Sequence, residues 1–363
     1  MKPNDTLLQN AAKRIIAWYK INKRPLPWRE DCTPYHVWIS EIMLQQTRIE
    51  TVIPYYLRFL ESFPTLRSLA FAEEEKLMKL WQGLGYYSRA RNLKKAAEQI
   101  VSSYGGDFPR KAKDLCRLPG IGSYTAGAIA SIAFGEPEPA VDGNVLRVLT
   151  RLSACKDDIS QGKTKNAFTE SLRGVYPAGE DAAALTQGLM ELGEVICIPN
   201  GMPKCEICPL KPLCLAHQNN TVNRYPVKAE KKQRKTETYT VLLLCCGQKY
   251  ALRRRPEKGL LAGLWEFVNL SGHLNKTQVT DFVQQKSKVL SCVFCGESKH
   301  IFTHVQWHMY GFIVECTDEI SGFVWETAEE IQQKYAVPSA FRFYLEILQN
   351  HCPTANPHRE TSE

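Results

Sequence analysis

Apolar positions recur at three- and four-residue spacing through the first part of the chain. In MKPNDTLLQNAAKRIIAWYK, Leu7, Ala11, Ile15 and Trp18 share one side of a predicted helix. AEEEKLMKLWQGL and SRARNLKKAAEQIVSSY repeat that period and stop at glycine. Residues 1–217 therefore read as helical. HQNNTVNRYPVKAEKKQRKTE breaks the pattern with polar and basic residues, so 218–238 read as a linker. Beyond it, YTVLLLCC, YALRRRP, IFTHVQWHMYGFIVEC and GFVWET are β-branched and aromatic runs. NKTQVTDFVQQKSKVL and PSAFRFYLEILQ return to helical spacing, so 239–363 read as an α+β domain.

Composition adjusts this division little. With 44% hydrophobic and 23% charged residues, the chain is of ordinary globular type. A formal net charge of +8 favours a polyanionic partner mildly. No run approaches the ~18 apolar residues that a membrane span needs. The N-terminus has no signal-type apolar core, so a cytoplasmic location and no membrane partner are expected. Thirteen cysteines in a reducing compartment point to metal ligation before disulfides.

The stretch LPGIGSYTAGAIASIAFGEPEPAVDGNV carries the first candidate chemistry. Between two helical segments, about 112–134 in all, Gly120 and Gly122 allow a tight turn whose N–H groups suit a phosphate, or merely a corner between helices. A small-residue helix follows, EPEP ends it, and Asp142 stands where the next helix needs an N-cap. Glu41 lies in VWISEIMLQQT with apolar neighbours nearly all round. It faces a cavity or apolar interior, where its neutral form is favoured, or else an exposed position on an imperfect pattern. Cys197, Cys205, Cys208 and Cys214 are spaced C-x7-C-x2-C-x5-C, which leaves zinc and a [4Fe–4S] cluster both open. Cys292, Cys295, His300 and His304 offer a weaker zinc reading, with a short ligand gap inside predicted strands.

Residues 118–145 resemble the helix-hairpin-helix and aspartate loop of the endonuclease III superfamily of DNA glycosylases. LPWREDCTPYHVWISEIMLQQTRIETVIPYYLRFL and LWQGLGYYSRARNL are similar to the MutY-type adenine DNA glycosylases, and the likeness runs through almost the whole chain. The fold implied is an all-α helix-hairpin-helix glycosylase core with an iron–sulfur loop at 197–214, plus a C-terminal α+β Nudix-like domain. The activity implied is hydrolysis of the N-glycosidic bond of adenine opposite 8-oxoguanine or guanine in double-stranded DNA. The base must leave the stack for this chemistry.

On this resemblance Glu41 matches the catalytic general acid and Asp142 the carboxylate that stabilises the positive sugar, as paired carboxyls do in O-glycosidases. Asn144 and Tyr124 match supporting residues. Bifunctional relatives carry lysine where Tyr124 stands, and a phenol forms no Schiff base, so a monofunctional enzyme is implied. Gln46 and Tyr86 match wedge residues, although Tyr86 alone reads as core. Arg29 and Gln187 match the adenine pocket.

The resemblance favours one [4Fe–4S] cluster on Cys197, Cys205, Cys208 and Cys214, despite seven residues in the first gap where six are usual. In the Nudix-like half, GLLAGLWEFVNL is followed by SGHLNKTQVTDFVQQKS, which lacks the acids that hold Mg²⁺ in a hydrolase. A lesion-reading role is implied, with Phe302, Thr303 and His304 in place of the usual Phe-Ser-His. A monomer, cytoplasmic and nucleoid-associated in a bacterium, completes the expectation. The rivals are a pyrimidine glycosylase with lyase activity, opposed by Tyr124, and a non-catalytic DNA-binding iron–sulfur protein, opposed by the Glu41–Asp142 pair.

Overall fold

The structure is a computed structural model, and it describes residues 4–229 and 233–351. Its contacts form two compact units. Unit 1 gathers 1–72 and 91–231, and unit 2 gathers 73–90 and 232–363. No helix of the described residues is long and apolar enough to cross a membrane.

Unit 1 is helical. Its core joins helices Asp5–Asn22, Gly143–Ser153 and Glu180–Val195 through Leu8, Ile15, Val145, Leu149, Leu185, Leu189 and Leu192. The first helix turns Leu8, Ala11, Ala12, Ile15 and Tyr19 inward, while Leu7 and Trp18 sit at the margin. The expected apolar face is thus rotated by about one residue. Close approach is set by Gly188: a Cβ there would lie 2.7 Å from Ile15 Cγ2. A residue one methyl larger would force the first and last of these helices apart.

Unit 2 is built on a seven-stranded mixed sheet with path order β3-β2-β1-β6-β5. The strands are β1 (Lys235–Cys246), β2 (Lys249–Arg254), β3 (Trp265–Glu266), β4 (Val268–Ser271), β5 (Val289–Ile301), β6 (Val305–Cys316) and β7 (Val324–Thr327). β1 runs parallel to β6 and antiparallel to β4. Val241 and Leu243 of β1 enter the core that holds Trp307, Phe341 and Tyr344. Leu242 and Leu244 enter the opposite core, with Val279, Val283 and Phe312. A strand covered on both faces reads as a continuous apolar run, which is the texture of YTVLLLCC.

Residues 73–90 fall inside the range that the sequence assigned to the helical domain, yet they group with unit 2. Their anchors are polar: Lys79 Nζ donates to the Tyr335 carbonyl at 2.9 Å and Gln82 Nε2 to the Val337 carbonyl at 2.8 Å. Helical periodicity reports which face is apolar, not which neighbour a lysine or glutamine will find.

β5 and β6 form an antiparallel hairpin whose three-residue turn is Phe302-Thr303-His304. Phe302 N donates to the Val305 carbonyl at 2.8 Å. Cys292 faces one core and Cys295 the other, so they do not converge and no zinc site forms there among the described residues.

Candidate active site

The hairpin explains how an apolar stretch delivers a carboxylate. Leu118 to Gly122 turn the chain, with Gly120 at φ 76° and Gly122 capping helix Ser123–Phe134. A side chain at Gly120 would meet Asn92 Cβ at 2.7 Å, so the turn requires glycine for space as well as for its left-handed backbone. The small residues of that helix allow a close return. A Cβ at Gly127 would collide with the backbone of Pro139 and Ala140. Gly135 at φ 67° ends the helix, and the chain folds back across it to Asp142.

Asp142 is the N-cap of helix Gly143–Ser153: Val145 N donates to its Oδ1 at 2.8 Å. Asn144 Nδ2 donates to Oδ2 at 3.0 Å. Burial raises the Asp142 pKa, and these bonds with the Arg147 charge pull against the rise. Asn144 is fixed in turn, because Arg147 Nη2 donates to Asn144 Oδ1 at 2.7 Å and to the Gly193 carbonyl at 2.8 Å. Arg147 Nε donates to the Cys197 carbonyl at 2.7 Å. Gly193 leaves the room: a Cβ there would stand 2.7 Å from Asn144 Cβ.

Glu41 sits on helix Pro34–Leu44, which starts at the Thr33 cap and is buried along nearly its whole length. Its neighbours leave no water-facing side, and the residue is 7% exposed. Burial raises its pKa to about 7; a Tyr124 hydrogen bond and the Arg29 charge pull down and the Asp142 charge pushes up. Burial, with the charges of Glu41 and Asp142, raises the Tyr124 phenol well above its usual value, so it stays protonated. Its hydroxyl also approaches Met190 Sδ at 3.7 Å.

These groups share one cavity of about 150 Å³, which Arg29, Glu41, Tyr124, Asp142, Asn144 and Gln187 all line. Six residues singled out from the sequence thus meet in one place. Among the wall residues that were not foreseen are Arg24, Met190 and Glu191. Glu191 is almost fully buried, and Arg29 Nη2 reaches its Oε2 at 2.7 Å while Arg24 binds both its oxygens. Burial opposes ionisation of Glu191, but the two guanidinium bonds outweigh it and its pKa is lowered. A signal existed in Gln187 and Glu191, four apart and so on one helix face, but the arginine partners lie more than 150 residues away.

The remaining candidates lie elsewhere. Gln46 follows the Glu41 helix in a left-handed conformation, φ 59°, with its side chain exposed. Tyr86 belongs to unit 2, at φ 47° and 48% exposed, so it is not a core residue. Its hydroxyl lies 2.9 Å from Thr303 Oγ1, in the same unit. Phe302 packs edge-on against His300 and Trp307, which leaves Thr303 and His304 exposed at the turn.

Cys197, Cys205, Cys208 and Cys214 line a second cavity in unit 1, of about 30 Å³, with Arg151, Lys211 and His217. Between Cys197 and Cys205, residues 199–202 form an exposed turn with Gly201 at φ 75°. Burial raises the thiol pKa of Cys205, Cys208 and Cys214, with Cys208 at about 12. As it stands, no group of three or more His, Cys, Asp or Glu among the described residues is arranged to hold a single metal ion. Four cysteines line that one cavity, and four thiolates, one per iron, are the donor set of a cubane.

Residues 39–173 match the HhH-GPD superfamily of base excision DNA repair proteins, and residues 239–346 match the NUDIX domain. The adenine DNA glycosylase of Rattus norvegicus is 34% identical over 94% of this chain and 79% of the rat protein. That of Buchnera aphidicola subsp. Schizaphis graminum is 33% identical over 83% of this chain and 86% of its own length. Among solved structures, a thermostable thymine-DNA glycosylase superposes with a TM-score of 0.52 at 28% identity, over 59% of this chain and 98% of the other.

Proposed function

Because the chain belongs to the adenine DNA glycosylases, with the HhH-GPD and NUDIX domains of that family, we propose that it excises adenine paired with 8-oxoguanine or guanine in DNA. One observation carries the reading: two carboxyls of different character share one cavity. Glu41 is held near neutrality at about pH 7, and Asp142 is pinned by three hydrogen-bonded or charged neighbours. Burial raises both carboxyls, but at Asp142 the hydrogen bonds and the Arg147 charge oppose the rise, which suits Glu41 to the acid role and Asp142 to the anionic one.

In the proposed mechanism an adenine extruded from the duplex enters the cavity. Neutral Glu41 protonates a ring nitrogen, and the N-glycosidic bond breaks as positive charge grows on the sugar. Ionised Asp142, held by Asn144, faces that charge. General acid catalysis of this kind contributes ~10²–10⁴-fold. Tyr124 orients Glu41 and offers no amine, so water completes the hydrolysis and no Schiff base forms. Arg29 and Gln187 are assigned to the base, and the turn at Gly120 and Gly122 to backbone phosphates. Gln46 and Tyr86 are assigned to the gap left by the base. The Phe302-Thr303-His304 turn is assigned to 8-oxoguanine.

The four cysteines fit one [4Fe–4S] cluster by donor type and by facing one cavity. The cluster would supply a rigid, redox-responsive brace to the loop, and no step of the excision passes through it. Incubation with an 8-oxoguanine:adenine duplex, then alkali, should cut the adenine strand at the mispair. An uncut strand after single-turnover incubation would overturn the assignment.

A further inference from the structure

Arg151 occupies an unusual place. It lies on helix Gly143–Ser153, nine residues after Asp142, and is 4% exposed. No carboxylate pairs with it among the described residues. Its Nε donates to the carbonyls of Val222 and Tyr225 at 3.2 and 3.0 Å. Its Nη1 donates to the Ile198 carbonyl at 3.0 Å and to Cys197 Sγ at 3.3 Å. The Arg151 carbonyl is 3.4 Å from Cys214 Sγ. One residue thus touches two of the four cysteines and both flanks of their loop.

A buried guanidinium is costly without a countercharge, and a neutral thiol is a poor one. The cavity supplies a better one when the sulfurs are thiolates: four thiolates on a [4Fe–4S]²⁺ core leave a net charge of −2. We infer that Arg151 is the internal counter-ion of the cysteine site and sets the cluster's redox potential through its bond to the Cys197 sulfur. The inference rests on the cluster reading above. Hydrogen bonds to the sulfurs and local charge are the protein's levers on such potentials. Oxidation from the 2+ to the 3+ core releases one electron and lowers the net negative charge. A cation beside the sulfur favours the more negative state, so Arg151 raises the midpoint of that couple and protects the cluster from oxidation.

The test uses the full chain as wild type, Arg151→Met and Arg151→Lys, with iron counted and the one-electron midpoint measured on an electrode. A charge-assisted hydrogen bond contributes about 1.5 kcal/mol or more. Arg151→Met should therefore shift the oxidised-to-reduced ratio about tenfold toward oxidation, which is about 59 mV lower for a one-electron couple. Arg151→Lys, which keeps the charge, should recover most of the shift. Iron-loaded Arg151→Met with an unchanged midpoint would overturn the inference. Should either variant fail to hold iron, the wild type decides: protein labelled with ¹⁵N-arginine should show coupling of that nitrogen to the oxidised cluster in pulsed electron resonance, and its absence is equally fatal. Wild type without iron would instead remove the cluster reading itself.

Discussion

Replacing Glu41 by Gln removes a proton donor and a source of instability together. The carboxyl titrates at about 7 in the folded chain against an ordinary 4.5, and burial is the main cause. The folded-state value lies above the unfolded one, so the neutral form stabilises the fold below pH 4.5 and that contribution drains away as pH rises toward 7. At about 1.4 kcal/mol for each unit, the loss amounts to about 3 kcal/mol above pH 8. The amide does not titrate, so Glu41→Gln escapes this cost. Its stability advantage over wild type should grow by about 3 kcal/mol from about pH 4 to 8.5. For domains of roughly 150–250 residues that is roughly 6–12 °C in the helical unit's melting transition. Calorimetry of both proteins across this range measures it. Single-turnover excision by the wild type should fall as pH rises through about 7, while the variant binds duplex and leaves adenine in place. A melting difference that does not change with pH would show that Glu41 is not a desolvated carboxyl. The proton-donor role would then lose its physical basis.

Arg147→Gln should slow excision by roughly 10–100-fold with duplex affinity nearly unchanged, since Arg147 holds Asn144 and through it Asp142; a fall in affinity matching the fall in rate would refute this positioning role. Borohydride should trap little wild type on DNA, and Tyr124→Lys is expected to gain trapping if its amine reaches the sugar. Efficient trapping of wild type would contradict the monofunctional reading. Thr303→Val removes the hydroxyl that now pairs with Tyr86. Losing one hydrogen bond worth ~0.5–1.5 kcal/mol should cost roughly 2- to 12-fold in the ratio of excision opposite 8-oxoguanine to that opposite guanine, and an equal ratio in competition kinetics would argue against the turn as lesion reader.

The parts of this molecule that sequence made legible are those with local causes. Asp142 caps the helix that begins beside it, and a capping acid is visible in VDGNV. The apolar setting of Glu41 follows from its own helix. The double burial of β1 is written in its unbroken apolar run. What escaped depends on distant partners. Glu191 looked like one more acid until Arg24 and Arg29 were brought to it. Arg147 and Arg151, four residues apart in a helix of apolar neighbours, gave no sign that they would face the cysteine loop. Tyr86 taken alone, without the resemblance that matched it to a wedge, read as core because aromatic residues usually are; it stands exposed in a left-handed turn that no local periodicity announces.

Helix Gly143–Ser153 also acts as a ruler. The candidate carboxylate is fixed at its first turn and the cysteine loop is held from its last, by Arg151. Each residue of an α-helix advances about 1.5 Å and turns about 100°. One residue gained or lost between Asp142 and Arg151 would therefore swing one end away from its partner whatever its side chain. The exposed turn at 199–202 has no such duty. Changes of length are affordable in that turn and ruinous in this helix, where only changes of side chain leave both ends in register.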